Sequence, residues 1–325
     1  MEFLVFIPGN AQTGGPEALH QLADCIKNNT KHKVKVVYFD PTRPIPLAEI
    51  NRQIKIITPG YSVPKAYSHY SIDIAHNPEI KPSTVCVVPE MLPDFASKVS
   101  SYCQVIFWWL SIDNFFFHGF ATKIPNFLYL LHPNIYHAAQ SKYASDFLRN
   151  IQLHSFPLSN YTTLPVSNTF VPRSNDLILY NPAKQSSLTI PLIEYLETKF
   201  NLVPIQGYSR EQLIDLFQQS KLYLELGNNP GKDRLPREAV ANGCLVMSTD
   251  VGAGFYGEDT PIPIDYSISV LDLKQRLYGS IENRIKKCLA SYEDEWKRFE
   301  NYRATINEEQ DIFIQETKAI EYWLK

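Results

Sequence analysis

Phe3-Leu4-Val5-Phe6-Ile7, then Pro8-Gly9-Asn10-Ala11-Gln12-Thr13-Gly14-Gly15-Pro16, then apolar positions at Ala18, Leu19, Leu22, Ala23 and Ile26 decide the fold. The first run is apolar at every position, as in a parallel strand covered on both faces, and the third has helical spacing. Val34 to Phe39 supplies the next strand. Strands at Thr84–Val88, Val105–Leu110 and Ile135–Ala139, each followed by a turn or helical segment, continue the rhythm. Such alternation predicts βαβ units with right-handed crossovers and a doubly wound sheet.

The rhythm stops between Phe156 and Asp176, where Pro157, Pro165 and Pro172 sit among Ser, Asn and Thr, as in a linker. It restarts with strands at Leu177–Tyr180, Leu202–Ile205, Leu222–Leu226 and Cys244–Ser248, separated by helices at Leu188–Phe200, Arg210–Ser220 and Arg237–Asn242. The charged segment from Ile281 onward is helical. Its Trp296, Phe299 and Tyr302, and then Ile312, Phe313, Ile320 and Trp323, are spaced to pack a helix onto the domains. The expected organisation is a Rossmann-like domain over 1–170, a second over 171–300, and a C-terminal helical segment, 301–325, returning to the first.

Composition agrees with a globular chain: 325 residues, 44% hydrophobic and 20% charged. A net charge of −3, from 31 basic and 34 acidic residues, gives no global field for nucleic acid. Five scattered cysteines (Cys25, Cys86, Cys103, Cys244 and Cys288) include no CxxC pair and read as free thiols in a reducing compartment. With no signal-peptide pattern and no long apolar run, the chain is expected to be soluble and cytoplasmic. His132 and His137 stand in no HExxH pattern, so no metal site is expected.

Ligands of open α/β sheets bind at the carboxyl ends of strands, where helix N-termini favour anions. Gly14-Gly15 reads either as a plain tight turn or as a place where backbone approaches a ligand. It is neither a P-loop nor GxGxxG. The loop Gly227-Asn-Asn-Pro-Gly-Lys-Asp-Arg-Leu-Pro-Arg-Glu238 puts Lys232, Arg234 and Arg237 at the start of a helix. That arrangement suits a diphosphate, with Glu238 placed for ribose hydroxyls. The alternative is a solvated loop whose Asp233 and Glu238 neutralise its arginines.

Glu238-Ala-Val-Ala-Asn-Gly-Cys-Leu-Val246, followed by Ser248-Thr-Asp-Val-Gly-Ala-Gly254, resembles the signature of the group-1 glycosyltransferases of GT-B fold. The resemblance implies two Rossmann-like doubly wound domains facing a central cleft, and a nucleotide-diphosphate sugar as donor without any cofactor. Asn181 and Lys184, in Tyr180-Asn-Pro-Ala-Lys184, then fall at the donor diphosphate, and Gly207 and Tyr208 beside the base. Gly14 and Gly15 fall at the turn facing the transferred sugar. The sequence departs from the pattern at Pro230, where many members carry a second Glu; Asp233 is a candidate replacement, and the retaining outcome does not carry over. A base for an inverting reaction would come from Glu17, Glu90 or Asp113, each of which also fits a helix cap or surface group. Of the aromatic zone around Asp113, Phe107 to Trp109 read as core. Phe115, Phe116 and Phe117, taken as a loop, are read as partly lining an acceptor groove or touching a membrane surface.

The expected function is transfer of a sugar to a saccharide or lipid-linked glycan in bacterial surface-polysaccharide synthesis, without metal. A nucleotide-sugar 2-epimerase and an inactive sugar-binding relative are the alternatives.

Overall fold

The computed structural model describes residues 1–50, 53–117 and 130–324. The chain forms two compact units, Met1–Tyr161 with Gln310–Lys325, and Thr162–Glu309.

In the first unit the elements run β1 (Glu2–Pro8), α1 (Gly14–Asn29), β2 (Lys33–Phe39), β3 (Leu47–Ile50), β4 (Gln53–Ile56), β5 (Glu79–Ile80), β6 (Thr84–Pro89) and α2 (Pro93–Val99). They continue with β7 (Gln104–Trp109), α3 (Ile112–Phe117), β8 (Ile135–Ala139), α4 (Lys142–Asn150) and β9 (Ser155–Pro157). The main sheet has the order β2-β1-β6-β7-β8-β9, parallel throughout. Strand β1 shows why its sequence is continuously apolar. Phe3, Val5 and Ile7 pack with Leu19 and Leu22 of α1, while Leu4 and Phe6 enter the core on the opposite face. Each such fully buried side chain contributes about 1.5–3 kcal/mol.

Two features depart from the sequence reading. The segment between β2 and β6 forms a small antiparallel sheet, β3-β4-β5. The proline-bearing stretch expected to lack structure opens with β9, whose Pro157 lies in an edge strand, where a missing N–H is tolerated.

The second unit contains β10 (Leu177–Tyr180), α5 (Ile190–Glu197), β11 (Asn201–Pro204), α6 (Arg210–Gln219), β12 (Leu222–Glu225), α7 (Arg234–Ala241), β13 (Leu245–Thr249) and β14 (Ser267–Ile268). Four helices follow: α8 (Val270–Lys274), α9 (Tyr278–Ala290), α10 (Tyr292–Lys297) and α11 (Glu300–Trp323). The sheet order is β11-β10-β12-β13-β14, again parallel. Phe299, Tyr302 and Ile306 join the core of this unit, whereas Phe313 and Ile320 join that of the first. Ile312 stays exposed.

The order in which successive strands are added across each sheet reverses at one pair of parallel neighbours, β1/β6 in the first unit and β10/β12 in the second. A crevice opens at the carboxyl ends of strands at such a point.

Candidate functional site

At the second unit's reversal point, β10 ends in Tyr180 and Asn181 turns the chain. The Asn181 carboxamide accepts the Ala183 N–H at 3.0 Å, and Pro182–Lys184 form one 3-10 turn. Lys184 is thereby set across from the end of β12. Its Nζ lies 3.1 Å from Glu225 Oε2 and 2.9 Å from Asp233 Oδ2. Glu225 is completely buried and also accepts the Tyr223 hydroxyl at 2.9 Å. Burial holds the Glu225 carboxyl above the usual carboxylate range, with Lys184 pulling the other way. For Lys184, burial favours the neutral amine, but the Glu225 and Asp233 carboxylates outweigh it and raise its pKa.

Asp233 occupies the N-cap position of α7 yet makes no side-chain capping bond, because its carboxylate is turned to Lys184. An N-cap Asp ordinarily accepts a first-turn N–H. Here that acceptor is withdrawn from a helix start at the carboxyl edge of the sheet, where a bound anion could supply it instead. The loop before α7 is held by backbone packing. Asn229 is left-handed, with φ 45, and its amide donates to Ser248 Oγ at 3.2 Å and Thr249 O at 3.1 Å. Gly252 and Gly254 press against this knot, and an added Cβ would lie 2.2 Å from Asn229 O and from Thr249 O respectively. The glycines that resemble a ligand loop are therefore required by packing between two loops.

The three cations of the loop do not share one orientation. Arg237 has no exposed surface: its guanidinium donates to Asp233 O and Lys232 O, both at 3.0 Å, and to Glu309 Oε2 at 2.9 Å. Lys232 also faces inward, 2.8 Å from Glu309 Oε1, with its side chain 11% exposed. Both were expected to flank a diphosphate; the buried Glu309 carboxylate draws them inside, and Arg237 is enclosed. Arg234 is partly exposed, with its Nε 3.3 Å from Glu238 Oε1. Arg210 from α6 approaches the same oxygen at 3.1 Å. Asp233, at the helix N-cap, thus pairs with a lysine, and Glu238, within α7, with two arginines. Gly207, with φ +80, turns the chain into the Ser209 capping box of α6, leaving Tyr208 exposed beside Arg210.

In the first unit, Gly15 and Glu90 both lie against Leu110. Gly14 and Gly15 open α1; a Cβ on Gly14 would meet empty space, and one on Gly15 would meet Leu110 Cδ1 at 3.9 Å. Glu90, just past β6, is buried and accepts the Leu110 N–H at 3.2 Å and the Asn114 amide at 3.5 Å. Burial pushes the Glu90 carboxyl up to about 7 despite these bonds. Asp113 is half-buried in the first turn of α3, and Glu17 is buried in the first turn of α1. The stretch taken as a loop carrying three Phe residues is helix α3, which points Phe115 into the core and leaves Phe116 exposed. The Phe117 side chain lies outside the described residues.

Sequence reasoning missed Glu225, Glu309 and Arg210. Glu225 ends a four-residue buried strand, and a charged residue in such a place is a detectable signal. Glu309 lies 72 residues from its partner Arg237, and nothing local marks it.

No family model matches the chain, and no curated protein matches it in sequence. Solved structures match its whole length. Sucrose-phosphate synthase from Thermosynechococcus elongatus superposes with a TM-score of 0.63 at 13% identity, covering 100% of this chain and 99% of that one. HepE from Anabaena, solved with UDP-glucose, gives 0.65 at 9% identity over 99% and 100% of the two chains. The pneumococcal O-GlcNAc transferase GtfA, solved with UDP and GlcNAc, gives 0.61 at 10% identity over 100% and 99%. The chain thus has the fold of these proteins, GT-B, built from two Rossmann-like domains. Among the described residues, no group of three His, Cys, Asp or Glu could hold a metal ion, and no helix is long and apolar enough to cross a membrane.

Proposed function

We propose that the chain is a glycosyltransferase that takes a sugar from a nucleotide-diphosphate sugar and passes it to a saccharide or lipid-linked glycan. The observation that carries this reading is the cluster at the β10/β12 reversal point. Lys184 and Arg234 stand at the start of a helix whose N-cap carboxylate is withdrawn. Preorganised cations at that position stabilise charge growing on a leaving diphosphate. Glu238, fixed by Arg234 and Arg210, would accept the ribose hydroxyls, and exposed Tyr208 would face the base. In neighbours of the same fold, UDP-glucose and UDP are the bound molecules, which favours this donor class.

To the first unit we assign the acceptor, with the base drawn from Glu17, Glu90 and Asp113; of these, burial raises the Glu90 carboxyl to a pKa of about 7, which suits removal of a hydroxyl proton. Protein cations replace a metal in this scheme. The surface-polysaccharide role rests on the family resemblance, and peripheral membrane contact on exposed Phe116. A cytoplasmic location accords with five cysteines that form no disulfide.

The test is a thermal-shift panel of UDP, GDP, CMP and dTDP sugars. A ligand at 100 times its Kd stabilises the native state by about 2.7 kcal/mol. One nucleotide series should raise the melting temperature of the wild type and fail to raise that of Arg234→Ala, whose circular dichroism stays unchanged. A flat panel for the wild type would overturn the reading.

A further inference from the structure

Glu309 belongs to α11, yet it closes the loop before α7. Its side chain is 2% exposed. One oxygen lies 2.8 Å from Lys232 Nζ; the other accepts Arg237 Nη1 at 2.9 Å and the Thr162 backbone N–H at 3.1 Å. Arg237 then binds the carbonyls of Lys232 and Asp233, the two residues that lead into the helix. An uncompensated carboxylate would be costly in this place, and the two cations and one amide compensate it. Thr162 and Glu309 are also the first and last residues of the second unit. The same carboxylate therefore holds the loop and both ends of the segment that forms this unit.

We infer that Glu309 is a positioning residue for the donor site, fixing the 230–233 loop and the first turn of α7 through Lys232 and Arg237 so that Asp233 reaches Lys184. Its effect on ligand binding rests on the donor-site reading above; its effect on the loop does not. Lys232 and Arg237 accordingly serve the loop from inside, whereas Lys184 pairs with Glu225 and Asp233, and Arg234 and Arg210 pair with Glu238.

The experiment compares full-length wild type, Glu309→Gln and Glu309→Asp in two measurements. Without ligand, amide exchange in 230–237 should accelerate at least tenfold in Glu309→Gln, while amides of β10, β12 and β13 keep their wild-type rates. Glu309→Asp, which retains the charge, should fall between the two. With UDP and GDP as probes, the nucleotide that the wild type binds should bind Glu309→Gln at least tenfold more weakly, with Glu309→Asp again between. Wild-type exchange in 230–237 of Glu309→Gln would overturn the inference, as would uniform acceleration across the whole unit in both variants. A wild type that binds neither of these, nor CMP or dTDP, would sink the donor-site reading, and the exchange measurement would still decide the role of Glu309. Unchanged affinity beside a loosened loop would remove the functional half of the inference alone.

Discussion

Lys184 and Glu225 show how much one buried pair governs. Removing one partner of a buried ion pair costs about 3–5 kcal/mol, chiefly because the other charge is left uncompensated. Lys184→Met should therefore lower unfolding stability by about 3 kcal/mol at pH 7, and adding Glu225→Gln should restore most of it; denaturant titration measures both. A Lys184→Met variant as stable as the wild type would contradict the pairing. Glu90 gives a prediction of opposite kind. Its folded pKa is raised from an ordinary 4.5 to about 7. The folded chain then holds a proton that the unfolded chain gives up. This contribution is complete below about pH 4.5 and is lost as pH rises through 7. At about 1.4 kcal/mol per pH unit, Glu90→Gln should gain about 3 kcal/mol relative to wild type between pH 4.5 and pH 8. A constant difference across that range would refute the burial of this carboxyl. Lys184 was singled out through the family resemblance, and Glu238 through its place one turn into a helix that follows a cationic loop. The inward turn of Lys232 and Arg237 was not legible in the sequence, because it is set by a carboxylate from a distant helix.

Among the elements, the loops after β12 and β13 are tightly constrained. Gly252→Ala and Gly254→Ala each place a Cβ 2.2 Å from a carbonyl oxygen, so each loop must move. Gly252 also has φ +56, a conformation that side chains disfavour. Each substitution should cost at least about 2 kcal/mol. Gly257→Ala, where the Cβ meets open space, should be neutral within about 0.5 kcal/mol. Equal stabilities for the three variants would refute the packing of these loops. Elements with strong periodicity were readable: β1 from five consecutive apolar residues and α1 from its apolar stripe. The β3-β4-β5 sheet was not, since Leu47–Ile50 and Gln53–Ile56 are too short to show a period against neighbouring prolines. The three-residue β9 escaped for the same reason.

For the whole molecule, a modest net charge of −3 leaves specificity to local arrangement. The cluster formed by Lys184, Arg210, Arg234, Glu225, Asp233 and Glu238 balances three cations against three carboxylates. Recognition of a diphosphate there depends on geometry and on the withdrawn N-cap, since long-range attraction is weak. Two Rossmann-like units with a reversal point each were expected from the alternation of strands and helices, and both are present. Titration calorimetry of the wild-type chain with a nucleotide-diphosphate sugar and with the matching nucleoside tests most directly whether this cluster grips a pyrophosphate. The expected result is binding of the diphosphate sugar at least about 100-fold tighter than the nucleoside, a difference of about 2.7 kcal/mol. Equal affinity for the two, or no heat of binding with any nucleotide-diphosphate sugar, would contradict it.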